Sequence, residues 1–251
     1  MNNQPVSNET ISLTPVLTAE TYLRSVNSKV QTIFDESVNA NREALNIGMN
    51  ISSSVQLWLR EIPDDKYVLL LRNSIQALEM SLLSQTYSLY RNAFSSLRLS
   101  MEMFFGGIYF STALLEFIEW TNSDRDLNWS NINNWDNGVL SARYYRAFFT
   151  ELKDDCGGFF TKANSLYRDL SEYVHGNSQT WLYNTAPLEL NSDEIHFYKE
   201  CLRRYHEITI FLLSLRYLKS FSVQQLEAVM GTVVETIGHL PSIQTYLSKT
   251  N

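Results

Sequence analysis

Apolar residues recur at three-and-four spacing through most of this chain, and that period confines it to helices packed along their lengths. Val68, Leu71, Ile75, Leu78 and Leu82 share one face of a segment from Tyr67 to Leu83. Nine glycines and five prolines in 251 residues supply too few breaks for a chain of many short strands. The fold class expected is therefore all-α, a helical bundle with long core helices. A hydrophobic content of 44% can bury a sizeable core, so one helical domain is expected over 18–251, preceded by a loose polar tail at 1–17 that carries Pro5 and Pro15.

Thr18 is placed to cap a first helix with Tyr22, Leu23, Val26, Val30, Ile33 and Phe34 on its stripe, and helical character continues past a break near Gly48 to Trp58 and Ile62. Pro63-Asp64-Asp65 ends it. After the Tyr67–Leu83 segment the pattern resumes at Tyr87 and runs to about Trp120. Its most apolar part, Met103 to Leu115, is 13 residues long before Glu116 and Glu119 interrupt it. A membrane-spanning helix needs about 20, so this reads as a buried core helix and no membrane partner is expected. From Thr121 to Gly138 the composition turns to Asn, Asp and Ser, a long loop with Trp129 and Trp135 as its large anchors. A helix from about Leu140 to Asp154 is then set off by Cys156-Gly157-Gly158. A second loop, 176–192, holds Trp181, Tyr183 and Pro187 beside a histidine and is a candidate lid. Asn191 with Glu194 reads as a capping box opening a helix to about Phe221, and Ser222 with Gln225 repeats the signal before a last helix pair broken near Gly238 and Pro241.

A net charge of −7 argues against a protein that coats nucleic acid, because that binding is driven by Lys and Arg neutralising phosphates. A local basic stretch remains. Between Lys199 and Lys219 five basic residues face two acidic ones, a net of +3, which reads either as a solvated helix face or as a site in which Lys199, Arg203 and Arg204 meet RNA. Two cysteines are too few for a disulfide framework, and Met1 to Pro5 lacks a basic region followed by an apolar run, so a cytoplasmic, reducing compartment is expected. His196, Glu200 and His206 can be drawn as a metal site, but third and fourth ligands are not evident, and neither metal nor cofactor is expected. Cys156 reads as a small buried residue at a turn more readily than as a nucleophile, and His239 as a helix-end residue.

The chemistry-bearing stretch is Leu166 to Gly176. Leu166, Leu170, Tyr173 and Val174 form an apolar stripe that docks it, and Gly176 suits a helix C-terminus. Arg168 and His175, seven residues apart, come within about 20° of two full helical turns and so leave one face together. A helix C-terminus also favours a cation at His175. Earlier in the chain Arg98 and Glu102 stand i, i+4 on a helix that turns apolar immediately afterwards. Exposed, such a pair contributes only about 0.3–0.5 kcal/mol. Buried, it serves positioning, with Arg98 expected to face the Arg168/His175 helix.

An arginine followed by a polar residue and then a histidine near a helix end resembles the signature of the HEPN superfamily, and Arg168-Asp169 with His175 looks like its longest-spacing form. The helix holding Leu97-Arg98 and Glu102, together with Leu170 to Gly176, resembles HEPN-like proteins of bacterial abortive-infection and other antiphage systems, over roughly Ser84 to Phe221 in layout. The resemblance implies a helical bundle that dimerises with the Arg/His helices facing, as a metal-independent endoribonuclease acting as a defence effector or toxin. Arg168 and His175 are the catalytic pair it implies, with Asp169, Arg98, Glu102 and Tyr173 in support. RNA as substrate, a second copy of the chain and a regulatory protein of the same system are the partners it implies. Many HEPN-like relatives keep the fold without catalysis, so the alternative expectation is a binding or regulatory module that takes a nucleotide or a partner protein.

Overall fold

The computed structural model describes residues 18–175 and 188–250, so the expected tail and most of the 176–192 loop, with Trp181, Tyr183 and Pro187, lie outside the described residues. Among the described residues the chain is all-α: eleven α-helices, with no strand. They are α1 (Ala19–Ala40), α2 (Arg42–Glu61), α3 (Val68–Thr86), α4 (Tyr90–Phe110), α5 (Leu114–Thr121), α6 (Trp129–Ile132), α7 (Ala142–Phe148), α8 (Lys153–Ser171), α9 (Ser192–Tyr217), α10 (Val223–Ile237) and α11 (Pro241–Thr250). None of the described helices is long and apolar enough to cross a membrane.

The centre is the α3–α4 hairpin with α9 laid across it. Small residues let the hairpin close: a Cβ added at Gly107 would stand 2.6 Å from Leu71 Cδ2 and 3.3 Å from the Leu71 amide nitrogen. Ser88, at φ 54°, makes the left-handed turn between the two helices. On α9, everything from Ile208 to Leu215 is buried, and α2 and α10 cover the far side of the core. α10 is tied to α2 by Trp58 Nε1 donating to Thr232 Oγ1 at 2.9 Å and by Gln225 Nε2 donating to the Glu61 carbonyl at 2.7 Å.

Several expected boundaries move, each for a local reason. The first break falls at Asn41 rather than Gly48, because the buried Asn41 side chain donates to the Ser37 carbonyl at 2.9 Å and accepts from Gln85 Nε2 at 3.0 Å. Gly48 instead sits inside α2, where Leu82 occupies the space of a Cβ. Thr18 caps α1 through the Thr21 amide, yet Tyr22 and Leu23 remain 53% and 62% exposed, so the expected stripe meets the core only toward Phe34, which packs on Tyr87. α4 stops at Phe110, where a turn through Ser111 to Ala113 lets α5 double back and close a small cluster of Leu70, Phe110 and Phe117. Gly157 and Gly158 lie within α8 and do not break it, since its first turn carries Asp154 and Asp155 at the favoured end of the dipole. At Ser222 the capping box forms with Gln225. At Asn191 only half of it forms: the asparagine side chain accepts from the Asp193 and Glu194 amides, while the Glu194 carboxylate is taken by Tyr173.

Glycine contacts give opposite expectations for two substitutions. Gly158 is exposed with nothing within 4 Å of a Cβ, so Gly158→Ala should raise stability by about 0.5–1 kcal/mol. Gly107→Val should lower it by about 1–3 kcal/mol through overpacking against Leu71. Urea unfolding of the two variants beside the parent checks both signs.

Candidate functional site

The end of α8 is fastened by its buried side. Leu166 and Leu170 are sunk in the core, and Tyr173 follows them. The Tyr173 ring stacks on Phe94 of α4 at 3.9 Å, its hydroxyl donates to Glu194 Oε2 at 2.7 Å, and its carbonyl accepts from Arg91 Nη1 at 2.9 Å. Burial, with the Glu194 carboxylate beside it, pushes the Tyr173 hydroxyl far above the usual phenol range, so it stays a neutral donor. Three contacts from two other helices thus hold this residue, while Arg168, Val174 and His175 of the same run are exposed.

The helix is shorter than expected. α8 ends at Ser171, and Glu172 to His175 continue as tight turns in which the His175 amide still donates to the Ser171 carbonyl at 3.0 Å. His175 therefore stands one turn beyond the helix rather than in its last turn. At 1.5–2.0 Å per residue its Cα lies about 10–12 Å along the axis from that of Arg168.

The supporting residues are brought together in a different pattern from the one expected. Arg98 does face α8, but it meets Tyr167 rather than Arg168. Its Nη2 donates to the Tyr167 hydroxyl at 2.7 Å, that hydroxyl donates to Glu102 Oε1 at 2.9 Å, and the Arg98–Glu102 pair closes the triangle at 3.1 Å. The arginine side chain is only 15% exposed. The face of Tyr167 is covered by Trp129, stacked at 4.1 Å with the planes 1° apart. Trp129 Nε1 and Asn133 Nδ2 both donate to Asn164 Oδ1 on α8, so the expected loop of 121–138 is stitched onto that helix and contains the short α6. Tyr167 escaped the sequence reading although its position carried a signal: one residue before Arg168, it is rotated about 100° from it, toward the core.

Asp169 is engaged by Arg204, Nη1 to Oδ2 at 2.7 Å, with both side chains about three-quarters buried. Lys199 reaches Glu43 at 3.0 Å, and Arg203 is paired with both Glu43 and Glu200. Lys199 first, then Arg203, hold the Glu43 carboxyl below its ordinary range. The three basic residues expected to meet RNA thus each carry a carboxylate partner from α2, α8 or α9 itself.

His196 and His206 stand ten residues, or about 15 Å, apart along α9. His196 is exposed beside Ala40 and Glu43, whereas His206 turns inward with Nε2 3.5 Å from Thr236 Oγ1. Among the described residues no group of three or more His, Cys, Asp or Glu could hold a metal ion. Burial pushes the Cys156 thiol up to about 12, which leaves little thiolate for nucleophilic chemistry.

Compared with protein-family models, with curated proteins and with solved structures, the chain finds no match.

Two outcomes follow from these contacts. Tyr167→Phe removes the hydroxyl that satisfies Arg98 and Glu102 while sparing the Trp129 stack, and should cost about 1–3 kcal/mol in urea unfolding. Burial lowers the His206 pKa below 6.5, with Glu207 and Glu235 opposing it, so the unfolded chain binds that proton more readily than the folded one. Its contribution is complete above pH 6.5 and is lost as the pH falls below it, so His206→Gln should lose less stability than the parent between pH 7 and 5. Unfolding at the two pH values in both proteins measures the difference.

Proposed function

We propose that the chain is a metal-independent endoribonuclease of the HEPN type, acting in the cytoplasm as an effector or toxin of bacterial antiphage abortive infection. The observation that carries this reading is the sorting of side chains at the end of α8: Leu166, Leu170 and Tyr173 are buried and braced, while Arg168 and His175 are exposed. RNA cleavage of this kind needs little else. A base takes the proton of a 2′-hydroxyl, the 2′-oxygen attacks the adjoining phosphorus, and the 5′-oxygen leaves with a proton from an acid, giving a 2′,3′-cyclic phosphate and a 5′-hydroxyl. A guanidinium stabilises the charge on the phosphorane. One chain brings one imidazole to this surface, whereas two chains facing each other bring a base, an acid and a guanidinium from each side. The exposed Val174 between the two polar residues supports a contact of that sort.

A second reading has its own support. Because Lys199, Arg203 and Arg204 are all neutralised by carboxylates, the same fold also suits a non-catalytic module that binds a nucleotide or a partner protein. End-labelled RNA incubated with the purified protein in excess EDTA separates the two. The nuclease reading expects cutting by the parent, a cyclic phosphate on the product, and a loss of about 10²-fold or more in both His175→Ala and Arg168→Ala. Undiminished cutting by His175→Ala would remove the histidine from the chemistry, and an inert parent would favour the binding module.

A further inference from the structure

A sizeable cavity among the described residues lies at the other end of α4 from this run. Arg91, which holds the Tyr173 carbonyl, and Tyr109, which lines the cavity, are 18 residues apart on that helix, about 27 Å. The cavity is an open cleft of about 780 Å³ between α5, the 121–138 connection and α7. Such a volume falls in the range of small-molecule sites and far exceeds a bare inorganic ion.

Its walls divide by chemistry. One side is apolar: Leu114 and Leu115, at the start of α5, are 68% and 66% exposed there, with Phe148 and Ala147 of α7 beyond them. These two adjacent leucines give that side of the cleft an exposed apolar surface. The other side carries the guanidiniums of Arg125 and Arg143 and the amides of Asn131, Asn134 and Asn137. Among the described residues Arg125 forms an ion pair with Glu119 Oε2 at 3.3 Å, and Arg143 makes one long hydrogen bond to Asn137 Oδ1 at 3.4 Å. A guanidinium has five N–H donors, so both are oriented and most of their donors stay available. Behind Phe148 lies a third guanidinium: Arg216, centred 4.4 Å from that ring, whose hydrogen bonds go to the Ser111 hydroxyl and carbonyl. Glu116 is the carboxylate among the lining groups, and Asp126 stands on the adjoining rim beside Arg125. That these groups converge is also visible at Tyr109, whose hydroxyl is pushed up by burial and by Glu116 and drawn back by Arg125 and Arg143.

The asparagine wall is built rather than loose. Asn134 Oδ1 accepts from the Asp136 and Asn137 amides at 2.9 and 3.1 Å, and the Asn134 carbonyl accepts from the Gly138 amide at 2.8 Å. A Cβ at position 138 would come within 2.4 Å of the Asn134 backbone nitrogen, which is why the turn ends in glycine. Donors fixed before a ligand arrives lose less entropy in binding it.

We propose that this cleft binds a small phosphate ester with an organic body of about nucleotide size, its phosphate held by Arg125 and Arg143 and its body lying against Leu114, Leu115 and Phe148. The planar guanidinium forks match phosphate oxygens, and amide side chains together with the Glu116 carboxylate offer donors and an acceptor to hydroxyl or amino groups of the body. The inference is independent of the nuclease reading, because it uses none of the residues at the end of α8.

Calorimetric titration of the full chain with ATP, AMP, ribose 5-phosphate, inorganic phosphate and citrate tests it. Expected is saturable binding of at least one ester, weakened tenfold or more in Arg125→Ala and in Arg143→Ala, and abolished in Ala147→Trp, which fills the cleft while keeping every charge. Nucleotides binding above ribose 5-phosphate would mean that the body recognised includes the base; the reverse order would assign it to a sugar phosphate. Arg60→Ala, on the exposed face of α2, should bind as the parent does. Thermal melts confirm that each variant is folded, and the three cleft variants are read independently of one another. The proposal is overturned if no ester binds at millimolar concentration, if inorganic phosphate or citrate binds as well as the esters, or if folded cleft variants bind unchanged.

Discussion

Two tyrosine hydroxyls set the register on which the rest of this bundle depends. Tyr198 and Tyr205 stand two turns apart on one face of α9, and they reach Ser81 of α3 at 2.6 Å and Ser100 of α4 at 2.9 Å. Each serine spends its own proton on a main-chain carbonyl, Ser81 on Ala93 and Ser100 on Ser74, so each tyrosine must be the donor. Desolvation pushes both phenols up, which keeps them protonated for that role. Sliding α9 by one turn of about 5.4 Å would leave these buried groups without partners, at a cost of about 1–3 kcal/mol apiece. Apolar packing alone is far more tolerant of such a slip, since leucine and isoleucine faces repack at modest cost.

With α9 fixed on the hairpin, α8 has a defined seat. Its middle is held by the Tyr167 bridge to Arg98 and Glu102 under the Trp129 ring, its end by Tyr173 between Phe94 and Glu194, and its outer side by Asp169 against Arg204. A mostly buried arginine and glutamate in such a bridge add little net stability, because desolvation offsets most of their attraction. What they add is direction. The hydroxyl between them fixes the rotation of α8, and that rotation decides which of its side chains face outward.

The all-α class and most helix bodies were legible in the chain because they rest on a period repeated many times, so a misread residue changes little. Boundaries were less so. Gly48 and the Gly157-Gly158 pair look like breaks, yet one is demanded by Leu82 pressing on α2 and the other pair lies in a well-started helix interior. Asn41 does break the helix, but its reason is a hydrogen bond to Gln85, 44 residues away, which no local pattern encodes. The same holds at the candidate sites. The arginine and histidine spacing can be read from Leu166 to Gly176, and the i, i+4 pair of Arg98 and Glu102 likewise. That Tyr167 joins them, or that Arg204 answers Asp169, depends on helix rotation. The cleft left the faintest trace: its arginines, asparagines and leucines come from 114–148, a stretch that reads as a helix end, a polar loop and another helix start, and only the doubling back of α5 turns them toward one space.

Of the routes that join the cleft to the end of α8, two run along helices and differ in stiffness. The direct one is α4, whose interior is buried along almost its whole length, with glycines in contact with α3 and a serine locked to α9. Coupling between distant sites needs an element with two arrangements, and a rod packed in this way has one. The other route runs through α7, which lines the cleft with Arg143 and Phe148, into the 3-10 turn of Thr150–Leu152 and so directly into α8. That turn is short, its Leu152 is buried against the core, and Glu151 within it is held by Lys219 of the segment after α9. Any influence of cleft occupancy on the exposed arginine and histidine would therefore reach α8 through α7 or through the 121–138 connection, whose Trp129 and Asn133 meet Tyr167 and Asn164, and as a rotation resisted by the Tyr167 bridge, rather than along the helix that spans the shorter path.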